Sequence, residues 1–350
     1  MLSIPFPSWL KPEIIEGLPI RWYGLMYLVA FGIAFFLYRK QVHERGFPMS
    51  EEDLNGLFFW SILSLLLGAR IFATLIYETS NMYREQPWLV FWPFRNGQFT
   101  GLQGMSYHGG VAGGILATII YSYIKRFDYR EIGDMFCASI PLGYTFGRLG
   151  NFINGELYGR ITASPLGMVF PLGGISPQAA NYNSIREGAI NMGLEVPPVG
   201  EYLNLPRYPS QLFEAFFEGI VLWVLIWLLR NRKPFKGFLV GLYLAGYGLI
   251  RFFIEYFREP DEGLGYRIQL IPDNMPPAIS HPLLSFSTGQ ILCVVMILIG
   301  ILWWVISARL PNASSYEQTS PVPVSKSNIK NKERKQRQQL QKKKSAPKRK

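Results

Sequence analysis

Seven windows of this chain come close to the roughly 20 mostly apolar residues that a helix needs to cross a bilayer. They run over Ile20–Tyr38, Leu57–Tyr77, Gly109–Ile124, Ile132–Ile153, Gln211–Leu229, Phe238–Phe257 and Gln290–Ile306. This pattern constrains folding strongly. Hydrocarbon offers no partner to backbone N–H and C=O groups, so each window must satisfy its hydrogen bonds internally, as a helix. The sequence predicts an all-α integral membrane protein with about seven transmembrane helices. The third window is short and glycine-rich, and the fourth carries polar groups. Composition points the same way, with 49% apolar residues, 15% Phe, Trp and Tyr, and a mean hydropathy of +0.12.

Orientation follows from the short loops. Arg39, Lys40 and Arg45 follow the first window, and Lys125, Arg126 and Arg130 follow the third. Arg230, Arg232, Lys233 and Lys236 follow the fifth, and a basic tail follows the seventh. Lys and Arg concentrate on the cytoplasmic side, which puts the N-terminus outside and the C-terminus in the cytoplasm. Residues 1–19 have no basic region followed by an apolar core, so they read as an extracytoplasmic segment rather than a cleavable signal, and the first helix serves for targeting. A membrane domain over residues 20–308 carries a small extracytoplasmic cap at about residues 155–208, rich in Gly, Pro, Asn and Ser and without helical periodicity. No inverted repeat of the kind found in many secondary transporters is visible.

From Arg309 to Lys350 the chain carries 13 Lys/Arg against Glu317 and Glu333, a net +11 equal to the charge of the whole chain. The body is therefore neutral. The tail reads as a disordered basic cytoplasmic segment suited to anionic membrane lipids. Without interleaved aromatic residues it gives no sign of a nucleic-acid partner. Cys137 and Cys293 lie in apolar windows with neither a CxxC nor a neighbouring His, so no disulfide, redox or metal site is expected.

Polar residues inside such windows mark function, because burying them is costly. The densest group is Gly147–Arg160, which holds Arg148, Asn151, Asn154 and Glu156. Tyr247, Arg251 and Glu255 recur at steps of four and share one helical face. Two arginines from separate helices at the outer end suit a phosphate, and a lipid headgroup supplies one at that depth. His108 opens the third window within Ser-Tyr-His-Gly-Gly, and an imidazole is well suited to take up and return a proton near neutral pH. His43 and His281 have no such company. Tyr23 and Tyr27 share a face but fit an interfacial aromatic belt equally well. Arg70 is read either as a ligand or as paired with a carboxylate such as Glu214 or Glu218. Those two glutamates, spaced by four, are read as structural. HExxH, GxSxG and a Gly-rich Lys-Ser/Thr phosphate loop are all lacking, so no metal or cofactor is expected, and the nucleophile belongs to a substrate. Displacement at a lipid with phosphate as the leaving group fits, its developing charge held by the arginines. An anion or lipid transporter is the competing class, though the polar residues cluster toward one end of the windows.

Five motifs in order carry a resemblance: Arg-Trp-Tyr-Gly-Leu-Met-Tyr at 21–27, Ser-Tyr-His-Gly-Gly at 106–110, Gly-Arg-Leu-Gly-Asn-Phe-Ile-Asn-Gly-Glu at 147–156, Pro-Ser-Gln-Leu-Phe-Glu at 209–214 and Gly-Tyr-Gly-Leu-Ile-Arg-Phe-Phe-Ile-Glu at 246–255. Across residues 17–308 the chain resembles the prolipoprotein diacylglyceryl transferase family of the bacterial plasma (inner) membrane. The resemblance implies transfer of a diacylglyceryl group from phosphatidylglycerol to the thiol of a lipobox cysteine in a prolipoprotein signal peptide, with release of glycerol phosphate. It implies that Arg148 and Arg251 bind the headgroup phosphate and that His108 takes the thiol proton. Tyr23, Asn151, Asn154, Glu156, Gly159, Tyr247 and Glu255 are implied as substrate-binding and positioning residues. Where the family often has His before Pro-Ser-Gln, this chain has Tyr208, and the resemblance does not extend to the tail.

Overall fold

The computed structural model describes residues 3–15, 21–78, 82–95, 97–99, 104–259, 266–270 and 275–311. The expected tail lies outside these residues from position 312 onward, as do positions 1–2 and 16–19 of the N-terminal segment. The fold is mostly helical: α1 (Trp22–Arg45), α2 (Glu51–Phe72), α3 (Tyr107–Lys125), α4 (Tyr129–Cys137), α5 (Ile140–Ile153), α6 (Tyr182–Asn191), α7 (Ser210–Leu229), α8 (Phe238–Ile254) and α9 (Thr288–Arg309). Two π-helical stretches interrupt the regular geometry, Ala73–Tyr77 continuing α2 and Ala215–Val221 inside α7.

Among the described residues four helices are long and apolar enough to cross a membrane: α1, α2 with its continuation (Glu51–Tyr77), α7 and α9. The apolar helix α8 is shorter. The fourth window, expected as one span over Ile132–Ile153, is two helices. Pro141 has no N–H for the carbonyl four residues back, so α4 ends at Cys137 and α5 restarts at Ile140. The Ser139 hydroxyl and the Gln41 amide both donate to the Met135 carbonyl, at 2.8 and 3.0 Å, which satisfies a group freed at the break. With 14 residues, α5 rises only about 21 Å at the usual 1.5 Å per residue.

Local signals fix the helix ends. Ser50 accepts from the Asp53 N–H at 3.0 Å, and Glu51, Glu52 and Asp53 place negative charge at the positive end of α2. At α9, Ser287 and Gln290 form a reciprocal capping box. The start of α8 is capped from a different helix. The Asp134 carboxylate of α4 accepts from the N–H groups of Gly237 (2.9 Å), Leu239 (2.8 Å) and Val240 (3.1 Å) and from Lys233 Nζ at 2.9 Å.

Small residues let the helices approach closely, as packing in lipid favours. The α2–α3 seam brings Gly68 against the backbone of Gly109 and Gly113, leaving no room for a side chain. Gly219 of α7 likewise rests directly on Thr145 of α5.

The segment over 155–208 does contain a helix, α6, which the sequence reading missed. Tyr182, Ile185, Gly188 and Ala189 are buried at helical spacing, a signal too short to stand out among Gly, Pro and Asn. The side chains of Tyr182, Ile185 and Ala189 join a core with Ile161, Leu194, Leu203, Leu205 and Ala278. The N-terminal residues Ile4–Pro5 pair in parallel with Met168–Val169. The segment packs against the end of α5 (Phe170 on Phe152), the start of α7 (Gln211 to the Glu156 carbonyl) and the turn after α8 (Arg160 N–H to the Phe257 carbonyl).

Candidate active site

One polar network links α1, α5, α7 and α8. Glu214 of α7 stands at its centre. Its Oε2 lies 2.8 Å from Arg148 Nε and 3.0 Å from Arg251 Nη1, so guanidinium groups from α5 and α8 converge on one oxygen. Glu214 Oε1 faces Arg258 Nη1 at 3.6 Å. Arg251 also approaches Glu218 Oε1 (3.5 Å) and Glu255 Oε2 (3.4 Å). Tyr144 accepts from Arg148 Nε at 2.6 Å and donates to Glu218.

The network continues toward α1. Arg148 Nη1 donates to Asn151 Oδ1 at 3.3 Å, and the Asn151 and Asn154 amides donate to Glu156 Oε1 at 3.0 and 3.2 Å. Gln211 donates to the Glu156 carbonyl at 2.6 Å, tying the loop after α5 to the start of α7. Tyr23 packs on Gly150, lies beside Asn151 and shares a 3.0 Å hydrogen bond with Tyr27.

Burial gives this network a direction. The side chains of Glu214 and Glu218 are fully buried, whereas those of Arg148 and Arg251 keep 17% and 15% exposure. The carboxylates back the guanidinium groups, which keep this small exposure. Tyr107 at the start of α3 is 67% exposed and within electrostatic reach of Arg148, Arg251 and Glu218. Two fixed guanidinium groups with carboxylates holding their geometry suit an anion.

Most residues named from the sequence meet here: Tyr23, Arg148, Asn151, Asn154, Glu156, Arg251 and Glu255 through the contacts above, and Tyr247 through its ring, 6.0 Å from that of Tyr144 and edge-on to it. Two stand apart. Gly159 brings no side chain to the ion network and meets it by a backbone bridge to Arg258; its N–H donates to the Tyr208 carbonyl at 2.8 Å, and a Cβ there would collide with the Phe257 carbonyl. Its place is a backbone crossing behind the site. His108 is exposed, its Nδ1 meets Tyr77 Oη at 2.7 Å, and no hydrogen bond joins it to the arginines.

Glu214 and Glu218, read as structural, stand at the centre of the network: the cations that hold two glutamates four residues apart are Arg148 and Arg251. Arg70 does not pair with them. It donates to the carbonyls of Val90 (2.5 Å), Gly104 (3.1 Å) and Leu89 (3.3 Å), pinning the connection between α2 and α3. Tyr144 and Arg258 were missed, although each continues a visible stripe, Tyr144 four residues before Arg148 and Arg258 three after Glu255.

Behind Glu255 lies a second support. Ser287 Oγ donates to Glu255 Oε1 at 3.1 Å, and Gln290 of the same capping box meets His281 Nε2 at 3.1 Å. Arg160 Nη2 approaches His281 Nδ1 at 3.0 Å, and the rings of Tyr256 and Tyr266 flank the imidazole. Burial, reinforced by the Arg160 guanidinium, holds the His281 pKa below its ordinary value of 6.5. The unfolded chain therefore binds the proton more readily than the folded one, so this contribution to stability is complete above about pH 6.5 and is lost on acidification. The melting temperature is expected to fall between pH 7 and pH 5 by more in the wild type than in His281→Gln. Equal losses in the two proteins would remove His281 from the account.

The sequence model of the family described as prolipoprotein diacylglyceryl transferase matches residues 12–306. Named relatives extend the likeness. The phosphatidylglycerol–prolipoprotein diacylglyceryl transferase of Treponema denticola is 53% identical over 313 residues, covering 85% of this chain and 92% of the relative. That of Treponema pallidum is 48% identical, covering 86% and 94%, and that of Chlorobaculum tepidum 40% identical, covering 85% and 91%.

Proposed function

Because the chain belongs to the prolipoprotein diacylglyceryl transferase family, we propose that it moves the diacylglyceryl group of phosphatidylglycerol onto the thiol of the lipobox cysteine in a prolipoprotein signal peptide, the first step of bacterial lipoprotein maturation. The observation that carries this reading is the convergence of Arg148 and Arg251, both still partly exposed, on one Glu214 oxygen. The headgroup phosphate binds on their remaining N–H donors. The cysteine sulfur attacks the glyceryl carbon that bears the phosphate ester, a C–S bond forms, and the C–O bond breaks with its electron pair leaving on the phosphate oxygen. Glycerol phosphate departs and a thioether remains. Charge grows on the departing phosphate in the transition state, and two preorganised guanidinium groups stabilise that charge more than the ground state.

His108 takes the thiol proton. Asn151, Asn154 and Glu156 position the headgroup glycerol, Tyr23 borders the site on the α1 side, and Tyr247 and Glu255 hold Arg251 in place. Gly159 preserves the backbone crossing that seats this loop. His108→Gln is expected to lower turnover by about 10²-fold or more, the usual share of a positioned base, with phosphatidylglycerol binding retained. Mass spectrometry of a lipobox peptide incubated with phosphatidylglycerol and the purified protein reads the thioether directly. Wild-type turnover in His108→Gln would place the base elsewhere.

The same reading sets the topology in the bacterial inner membrane. The chain crosses seven times, the fourth crossing being the broken pair α4–α5, with the N-terminus and the cap over 155–208 outside. The basic tail from residue 309 lies in the cytoplasm against anionic lipid headgroups.

A further inference from the structure

His108 is held by more than its own helix. The N–H of Ser106, which caps α3, donates to the Ala69 carbonyl of α2 at 2.9 Å, and the glycine seam locks the two helices together just beyond it. The π-helical stretch Ala73–Tyr77 then carries α2 onward to Tyr77. A π-turn re-aims the residues that follow it, and such turns gather at functional positions. Phe72 meets the Tyr77 ring edge-on at 5.4 Å and fixes its rotamer. Tyr77 Oη thereby reaches His108 Nδ1 at 2.7 Å.

Two proton arrangements fit that distance. With the Tyr77 hydroxyl as donor, Nδ1 accepts, the ring proton sits on Nε2, and the imidazole has no free lone pair. With Nδ1–H as donor to Tyr77 Oη, the lone pair of Nε2 is free, and Nε2 has no partner among the described residues. Only the second arrangement leaves a base. Resting on the reading of His108 as that base, we propose that Tyr77 is a positioning residue that accepts the Nδ1–H of His108, fixes its tautomer and ring orientation, and so leaves Nε2 free for the proton of the substrate thiol. The arrangement holds when the proton arrives: the imidazolium keeps its Nδ1–H bond to Tyr77 while Nε2 carries the new proton.

Removing the hydroxyl leaves the ring contact with Phe72 in place, so Tyr77→Phe keeps the packing. Loss of an orienting partner of this kind costs about 10- to 100-fold. The expected result is a fall of that size in kcat, with KM for phosphatidylglycerol unchanged, since the phosphate sits on the arginines. Two further measurements separate positioning from a structural effect. In a His108→Gln background, Tyr77→Phe is expected to add nothing. With a lipobox peptide whose thiol ionises near its ordinary pKa of about 8.5, the gap between wild type and Tyr77→Phe is expected to close as pH rises through that value, because a thiolate needs no base. Wild-type kcat in Tyr77→Phe, or the same fold loss with His108 absent and at every pH, would overturn the proposal. Wild-type turnover of His108→Gln alone would instead overturn the reading of His108, and the role of Tyr77 with it.

Discussion

Arg251→Lys is expected to lower turnover by on the order of 10²–10³-fold while the protein remains folded, and Arg148→Lys to do the same. Arg251 meets three carboxylates, Glu214 at 3.0 Å, Glu255 at 3.4 Å and Glu218 at 3.5 Å, and still keeps 15% exposure. A planar guanidinium serves several directions together, whereas an ammonium is a compact point charge on a flexible stem. Lysine at 251 keeps the buried carboxylates near a cation, so the fold survives, but it loses the fixed forward donors that meet the growing phosphate charge. Alanine is a poorer probe. It leaves Glu214 and Glu218 short of a cation in a buried setting, where breaking such a pair costs about 3–5 kcal/mol. Arg251→Ala is therefore expected to lose stability as well as activity. Thioether formation on a lipobox peptide, measured beside thermal unfolding in detergent, separates the two losses. Wild-type turnover in both lysine variants would remove the phosphate cradle from the mechanism.

Asp134→Ala is expected to destabilise the protein by about 3–5 kcal/mol, with turnover per folded molecule unchanged. Its carboxylate is fully buried and takes three backbone N–H groups at the start of α8 together with Lys233. Truncation orphans those donors and leaves Lys233 to Glu131 alone among the partners it has here. Asp134→Asn, which can still accept at its carbonyl oxygen, is expected to lose less. Because α8 begins here and carries Arg251 near its far end, a folded variant keeps the arginine network intact. Chemical denaturation at fixed detergent reads the effect. A wild-type midpoint in Asp134→Ala would show that α8 starts without this cap, and reduced turnover in the folded fraction would show that the two ends of α8 are coupled.

The amino-acid order alone was enough to specify a helical membrane protein, and it marked Arg148, Asn151, Glu156, Arg251 and Glu255. Apolar runs of spanning length have one way to satisfy their backbones in lipid, and charged groups within them are conspicuous because they are costly there. The family was legible in five ordered motifs. Tertiary structure decided what those charges meet. The spacing of Glu214 and Glu218 put two carboxylates on one helical face without naming their partners, and only folding brings α5 and α8 against α7, so that Arg148 and Arg251 share one Glu214 oxygen. The same holds for Arg70, whose partners include backbone carbonyls 19 to 34 residues away that leave no trace in residue types. It holds for Tyr77, which a π-turn and a glycine seam carry to His108 across 31 positions. Local pattern determines which segments become helices and which groups are costly to bury; partnership between distant groups depends on helix packing, which a linear pattern does not encode.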